Sequence, residues 1–424
     1  MRIAFTTLGC KINQYETDHL RQDLQSRGNT IVPFDGEADV YVINTCSVTG
    51  KSDTQSRQII RSAARRAHGA RIIVTGCYAS TRPEEIARIP GVGMVIHNRD
   101  KAALPDRIMT HCSGNVRALC SENHIPVQSF FGRTRAFLKI QDGCDNRCTY
   151  CIVPLARGDS RSALPGDIFK EFDRLVQQSC PEIVLTGIHI GMYGKDLAEK
   201  TSLPTLIHRL LERRGKTRIR LSSIEANEIT DEIITFLGNG LCRHLHIPLQ
   251  SGDDAILRSM GRNYTSRFYR QLIETISNRV PDIAIGTDII VGFPGEGDKE
   301  FRNTLELVQQ TPLTHLHVFT YSPRPGTPAA DMTPHVPDAV KKARSELLRG
   351  LGAEKNYLFR KEQVGNHLQA VLESSQEARN GELTGLTDNY LKVAVSGVKK
   401  GFIGREINVR IEKTEKDKSL AIKL

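Results

Sequence analysis

Residues 139–158 read "KIQDGCDNRCTYCIVPLARG" and place Cys144, Cys148 and Cys151 within eight residues. A loop that short brings its thiolates to one centre, and thiolates favour a soft metal or an iron–sulfur cluster. Structural zinc takes four ligands, commonly from a second C-x2-C pair or two histidines. No histidine lies in this segment, and the next one is His189. A cubane held by three cysteines leaves one iron without a protein ligand. That iron can chelate an amine and a carboxylate together. S-adenosylmethionine (SAM) carries both beside a sulfonium, which electron transfer can split to an adenosyl radical. A zinc knuckle or a disulfide is the rival reading, and a reducing cytosol speaks against the disulfide.

A second set of cysteines is scattered. Cys10, Cys46 and Cys77 follow the strand-like runs "RIAFTTLG", "VYVIN" and "IIVTG". Parallel strands send such loops to one sheet edge, where ligands of these sheets bind. Three thiolates there suit a second cluster with its own open iron. Cys112, Cys120, Cys180 and Cys242 show no comparable spacing and read as structural thiols. His246 and His315 lie inside apolar strand patterns and read as satisfied core histidines.

The elements that must position these residues fall into three regions. Over residues 1–125 short apolar runs alternate with helical patterns, Asn13 to Arg27 and Ser52 to Ala67, the rhythm of a parallel sheet flanked by helices. Over 134–345 six runs recur: "AFLKIQ", "EIVLTG", "RIRLSS", "HLHIPL", "DIAIGTDIIVGF" and "HLHVFTY". Six βα units predict a partial (β/α)6 barrel with its working loops at the C-terminal strand ends. A Pro- and Thr-rich stretch follows near Pro323 to Pro337, then a basic helix from Asp338 to Lys361. Residues 362–424 change to short alternating strands with glycines, predicting a small β-barrel. The fold class is α/β with this third, all-β segment.

The chain has 424 residues, enough for two or three domains. No apolar run is long enough to cross a bilayer, and "MRIAFTTLGCKINQ" reads as a first strand rather than a secretory signal. A cytoplasmic protein with reduced thiols is expected. The formal net charge of +10 favours a polyanionic partner, nucleic acid first.

"TLGCKINQYETD", "CDNRCTYCIVPLARG", "LTGIHIGMYG", "LSSIE", "HLHIPLQSG", "GTDIIVGFPGE" and "FTYSPRPGTPAA" stand here in the order found in radical SAM methylthiotransferases. The chain resembles that family over nearly its whole length. Its C-terminal region, with "TGLTDNY", resembles the RNA-binding TRAM domain. The family places a methylthio group on tRNA or on a ribosomal protein. "LGCKINQYETD" is most similar to the members that act on N6-threonylcarbamoyladenosine at tRNA position 37, giving its 2-methylthio derivative. Members acting on isopentenyladenosine-37 tRNA or a ribosomal protein usually carry other residues around Cys10 and stand as alternatives. A non-enzymatic, zinc-containing RNA-binding protein is the third reading. One departure is Ala226 in "SSIEANEI", where the family often has proline.

The resemblance implies two [4Fe-4S] clusters, one on Cys144, Cys148 and Cys151, the other on Cys10, Cys46 and Cys77. It implies two uses of SAM, as methyl donor and as radical source. Thr186 and Gly187 fall where the family cradles the methionyl amino group. Ser223, Glu225 and Gln250 with Ser251 are polar groups at successive strand ends, suited to the ribose or carboxylate. Ile289 and Val291 are expected to flank the adenine and Tyr150 to cover the other side. The expected partners are a tRNA anticodon loop and an electron donor such as flavodoxin or ferredoxin, with no membrane.

Residues 362–424 hold ten Lys or Arg against nine Asp or Glu, so RNA contact there would rest on shape and on Tyr390 as a stacking aromatic. Arg57, Arg61 and Arg65 recur at four-residue steps, with Arg66 and Arg71 nearby, a stripe suited to phosphates.

Overall fold

The computed structural model describes residues 1–66, 69–112, 134–373, 382–416 and 418–424. Over those residues the chain forms two compact units. One comprises Met1–Ser129, Asp142–Arg161 and Ser322–Thr327; the other comprises Phe130–Gln141, Ser162–Tyr321 and Pro328–Leu424.

The first unit is built on five parallel strands, Arg2–Thr7, Thr30–Val32, Val40–Thr45, Arg71–Gly76 and Val92–Ile96. Numbered in chain order, they lie 2-1-3-4-5. Val40–Thr45 is buried at every position, which is why it reads as a continuous apolar run. Helix Lys11–Ser26 packs Leu20 and Leu24 against Ile3, Phe5 and Val42. Helix Gly50–Arg66 packs Ile60 and Ala63 against Tyr41, Ile43 and Val74. Both predicted helices are present with starts two residues earlier; Ala67, the predicted end of the second, lies outside the described residues. The strands Thr30–Val32 and Val92–Ile96 were not foreseen, because the first is three residues long and the second is interrupted by Gly93.

The second unit contains all six predicted barrel strands: Arg135–Lys139, Glu182–Thr186, Arg218–Leu221, His244–His246, Ala284–Val291 and His315–Thr320. They pair in parallel as two three-stranded sheets. The sheets are joined through Cys242 N–H to Ile219 O at 2.8 Å and Ile224 N–H to His246 O at 3.0 Å. Period-2 alternation decides which side chains face outward. Ile183, Leu185, Ile219, Leu221, Leu245, Ile285 and Ile289 join Phe172, Leu206, Ile273 and Leu307 from the helices in one continuous core. The intervening residues therefore point to the inner face.

After helix Asp338–Glu362 come five strands, His367–Leu372, Leu383–Thr387, Lys392–Ser396, Glu406–Thr414 and Ser419–Lys423, which close into a barrel. The turn after Leu383–Thr387 binds to the N-terminal ends of the larger barrel's strands. Buried Glu182 pairs with Arg218 at 2.7 Å and Arg220 at 2.8 Å. Those guanidiniums donate onward to Leu386 O at 2.7 Å, Thr387 O at 3.0 Å and Asp388 O at 2.9 Å. Each charge thus keeps the partners that burial requires.

Candidate functional site

In the first unit, Cys10, Cys46 and Cys77 follow the strands Arg2–Thr7, Val40–Thr45 and Arg71–Gly76. In a 2-1-3-4-5 sheet the order reverses between the first and third strands, and a crevice opens there at the carboxyl ends. Cys10 and Cys46 flank that switch point, and Cys77 follows the next strand across. Two glycines let the loops close together. Gly9 has φ +93°, and a Cβ there would lie 2.7 Å from Cys46 Sγ. Gly76 has φ +102°, and a Cβ there would lie 2.3 Å from Thr45 O. Asn13 donates to Leu8 O at 2.9 Å and Thr45 O at 3.0 Å, tying two of the cysteine loops to one helix.

The Cys10 and Cys46 thiols both sense Cys77. Burial raises Cys46 to about 11, and Cys77 and Cys10 push in the same direction. Burial also raises Cys10, opposed by Arg157 and reinforced by Cys77. Cys10 nevertheless keeps solvent access while Cys46 and Cys77 are buried, so the set has one open side. No disulfide links them. Three converging thiols with one accessible member fit a cluster with an open corner.

Buried cations surround this set. Arg157 donates to Asn13 Oδ1 at 2.6 Å, Glu16 Oε1 at 2.9 Å and Asp142 Oδ1 at 2.9 Å. Lys101 Nζ meets Glu16 Oε2 at 2.5 Å and Asn44 Oδ1 at 3.3 Å. Asn98 donates to Ala156 O at 3.0 Å, with Cys77 Sγ 3.6 Å from the same nitrogen. Arg324 donates to Ser47 Oγ at 2.8 Å and Asp53 at 2.5 Å, beside Cys46. Arg157, Lys101 and Arg324 did not stand out in the sequence. The available signal was an arginine inside each of the quoted motifs "PLARG" and "SPRPGT".

Cys144, Cys148 and Cys151 occupy a segment of the same unit without helix or strand, and all three are partly exposed. Gly143, at φ +71°, starts it; a Cβ there would lie 1.9 Å from Asp159 O. Cys144 N–H donates to Gly158 O at 3.1 Å and Cys151 N–H to Cys148 O at 3.0 Å. These bonds close the loop, and the three cysteines form no disulfide; three thiols in so short a segment are a donor set that fits a three-cysteine cluster. Tyr150 lies half-buried between Cys148 and Cys151. Arg57 is engaged with Tyr78 at 2.8 Å and Glu85 at 3.1 Å, while Arg61 and Arg65 are exposed on the same helix.

In the second unit, Thr186 ends its strand and is buried. A Cβ on Gly187 would lie 2.7 Å from Ile190 and 3.0 Å from Gln141 Oε1, so only glycine fits. Ser223 is exposed. Glu225 is held by Arg262, which also donates to Tyr264 Oη at 3.1 Å. Gln250 adopts φ +65°, and its Oε1 is buried with no hydrogen-bond partner among the described residues, as expected of a group awaiting a ligand. Three expectations are corrected. Ile289 and Val291 are fully buried in the core, because alternation turns them outward; Ile290 is their neighbour on the inner face. Tyr390 stacks on His244 with ring centroids 4.0 Å apart and lies under the Arg220 guanidinium, so its ring is already occupied. His315 is a core histidine as expected, with Asn356 and Thr314 each at 2.8 Å. His246 instead meets Asp288 on the inner face at 2.9 Å. Burial alone would raise the Asp288 carboxyl, but hydrogen bonds from His246 and His317 hold it well below the usual range.

Three family models match the chain. Residues 2–97 match the uncharacterized protein family UPF0004, residues 138–308 the radical SAM superfamily, and residues 362–422 the TRAM domain. The threonylcarbamoyladenosine tRNA methylthiotransferase MtaB of Bacillus subtilis is 40% identical over 423 residues, covering 97% of this chain and 94% of that protein. The enzyme of the same name from Thermotoga maritima is 39% identical over 407 residues, covering 94% and 92%. The solved structure of the radical S-adenosylmethionine methyltransferase TsrM from Kitasatospora setae shares the fold with a TM-score of 0.59 at 14% identity, covering 78% of this chain and 75% of that one. The superfamily match implies a [4Fe-4S] cluster and SAM. With relatives this similar over nearly the whole length, the chain belongs to the radical SAM methylthiotransferases and is an enzyme.

Proposed function

We propose that this enzyme adds a methylthio group to C2 of N6-threonylcarbamoyladenosine at position 37 of tRNA. The observation that carries the reading is the full-length similarity to relatives named for that substrate. The TRAM match supports an RNA substrate. The target is an unactivated aromatic C–H bond, beyond the reach of ordinary acid–base groups; when bound, SAM would supply the radical and the methyl group, and the second cluster would carry the sulfur to be inserted.

The work divides among three segments: 1–125 for the auxiliary cluster, 134–345 for the radical step, 362–424 as the TRAM-like barrel. Cys144, Cys148 and Cys151 hold one [4Fe-4S] cluster, beside Tyr150. Cys10, Cys46 and Cys77 hold a second, supported by their mutual electrostatic coupling and by the two glycines that admit close approach. Thr186, Gly187, Ser223, Glu225 and Gln250 orient SAM, supported by the unpaired Gln250 Oε1. Ile290 replaces Ile289 and Val291 as the apolar neighbour of the adenine. Arg61 and Arg65, with Arg57 in support, contact the phosphates of the anticodon loop. An electron donor of the flavodoxin or ferredoxin kind would reduce the cluster held by Cys144, Cys148 and Cys151, and the reaction takes place in the cytoplasm. Among the described residues no helix is long and apolar enough to cross a membrane.

Mass analysis of tRNA nucleosides from a strain lacking only this enzyme tests the reading. Loss of 2-methylthio-N6-threonylcarbamoyladenosine, with the unmodified precursor accumulating, is expected. Persistence of the derivative with no second such enzyme present would refute the substrate.

A further inference from the structure

The inner face of the larger barrel carries a polar group that no role above uses. One pleat beyond the His244–Tyr390 stack, His246 Nε2 lies 2.9 Å from Asp288 Oδ1. His317 Nδ1 lies 3.2 Å from the same oxygen. The two imidazole centroids are 4.9 Å apart. Strand register fixes the set, with His246 opposite Gly286 and Asp288 opposite His317. Gly286 makes room for the ring: a Cβ there would lie 2.7 Å from His246 Nδ1.

The group has a closed side and an open one. Beneath it, toward the N-terminal strand ends, lie His244, Tyr390 and Arg220. His317 is 61% exposed, against 12% for His246 and 24% for Asp288. The next inner-face residues toward the C-terminal strand ends are Ile290 and Phe319, the latter 40% exposed. In parallel barrels chemistry occurs at that end. A substrate group entering from there passes an apolar collar and then meets these three side chains.

Asp288 occupies one nitrogen of each ring; His246 Nδ1 lies over Gly286, so His317 Nε2 is the nitrogen left on the exposed ring. A ligand carboxylate can accept a hydrogen bond from the exposed His317 ring, which Asp288 and the neighbouring His246 ring hold in place. An alkyl substituent would leave these polar groups unpaired, the kind of mismatch a site rejects most strongly.

We propose that His246 and His317, held by Asp288, form a specificity subsite for the carboxylate of the threonylcarbamoyl group on the substrate adenine. The inference rests on the substrate proposed above. The same three ligating atoms lie within 4.8 Å of one another, so a divalent cation is the competing occupant.

The test uses the reconstituted full-length enzyme, as wild type, His317→Ala and His317→Gln. Two substrates are compared: tRNA carrying N6-threonylcarbamoyladenosine, and the same tRNA with the threonyl carboxylate converted to a neutral amide. His317→Ala should raise KM for the natural tRNA about tenfold with kcat nearly constant, the effect of one charge-assisted hydrogen bond. The amide should raise KM for wild type by a similar factor and add nothing further in the variant. If His317→Ala does not fold, His317→Gln carries the comparison, with a smaller rise in the same direction. Equal KM values for wild type and variants would overturn the subsite, as would independent penalties from variant and amide. Stoichiometric divalent metal beyond the clusters, lost in His317→Ala, would overturn it in favour of a metal site. Wild-type enzyme that ignores threonylcarbamoyladenosine but methylthiolates another adenine would refute the substrate itself, and the subsite with it.

Discussion

Arg157 donates through Nη2 to Asn13 Oδ1 at 2.6 Å, although 144 residues separate the two. Asn13 stands three residues after Cys10 and Arg157 six after Cys151, so this bond joins the Cys10 loop to the segment that carries Cys144, Cys148 and Cys151. Arg157 is 4% exposed and also serves Glu16 and Asp142. Removing it leaves two carboxylates short of their shared cation. Arg157→Ala should lower the stability of the first unit by about 3–5 kcal/mol, the cost of breaking a buried pair from one side. Urea denaturation followed by tryptic cleavage within residues 1–112 reads this, and Arg157→Lys should recover only part of the loss because a point charge cannot serve three partners as a planar fork does.

Gly9→Ala tests the proposed cluster on Cys10, Cys46 and Cys77 separately from the one on Cys144, Cys148 and Cys151. The left-handed backbone and the 2.7 Å approach to Cys46 leave no space for a methyl group. The loops must part, which should cost about half of the bound iron and acid-labile sulfide while the cluster on Cys144, Cys148 and Cys151 still cleaves SAM. Iron retention equal to wild type would show that Cys10 and Cys46 need not converge.

The architecture was legible because the first unit's sheet and the two sheets of the larger barrel are parallel and covered by helices. Their strands stand out as apolar runs even without alternation, and all six barrel strands fell where the runs lie. The cysteine loops were legible for the same reason, since each follows a run directly. Side-chain direction was not. Ile289 and Val291 were assigned to the cofactor because "IIV" is apolar on both faces; the one signal of direction was Asp288, whose side chain shares its face with Ile290 and not with Ile289 or Val291. Tyr390 looked like an RNA-stacking aromatic because its partners, His244 and Arg220, are more than a hundred residues away. The buried charges of Arg157, Lys101 and Glu182 were hidden likewise: a charged residue in sequence reads as solvated until its distant partners are known.

Glu182 anchors the turn of the small barrel indirectly, through Arg218 and Arg220. Burial would raise its carboxyl, yet Arg220 and Arg218 hold it far below the usual range. A carboxylate with a depressed native pKa contributes stability above its unfolded value, near 4, and that contribution is lost as pH falls below it. Glu182→Gln should therefore destabilise the second unit by about 3–5 kcal/mol at neutral pH. The difference from wild type should shrink in acid, as read by urea midpoints at pH 7 and pH 3.

His315 gives a second acid-sensitive signal. Burial, then His317, His246 and Arg360, lower its pKa to about 4. Above its unfolded value of about 6.5 the ring is neutral in both states and contributes nothing to pH dependence. Between there and 4 the unfolded chain binds a proton that the native one refuses, so stability falls with pH by up to about 3 kcal/mol. His315→Gln should flatten that slope between pH 6.5 and 4 without abolishing the fall due to Glu182 at lower pH.

RNA affinity should follow exposure rather than residue type. Arg61 and Arg65 are exposed, whereas Tyr390 is committed to His244. Arg61→Ala with Arg65→Ala should weaken tRNA binding and reduce the slope of log affinity against log salt by about 1.5, the release of roughly two counterions. Tyr390→Leu should instead lower the thermal midpoint of the second unit, leaving tRNA affinity within about twofold, since the lost contacts are internal stacking and a cation–π pair. Filter binding across a salt series measures both variants side by side. A tRNA-affinity loss in Tyr390→Leu as large as in the arginine double variant would mean that the ring leaves its stack to meet a base.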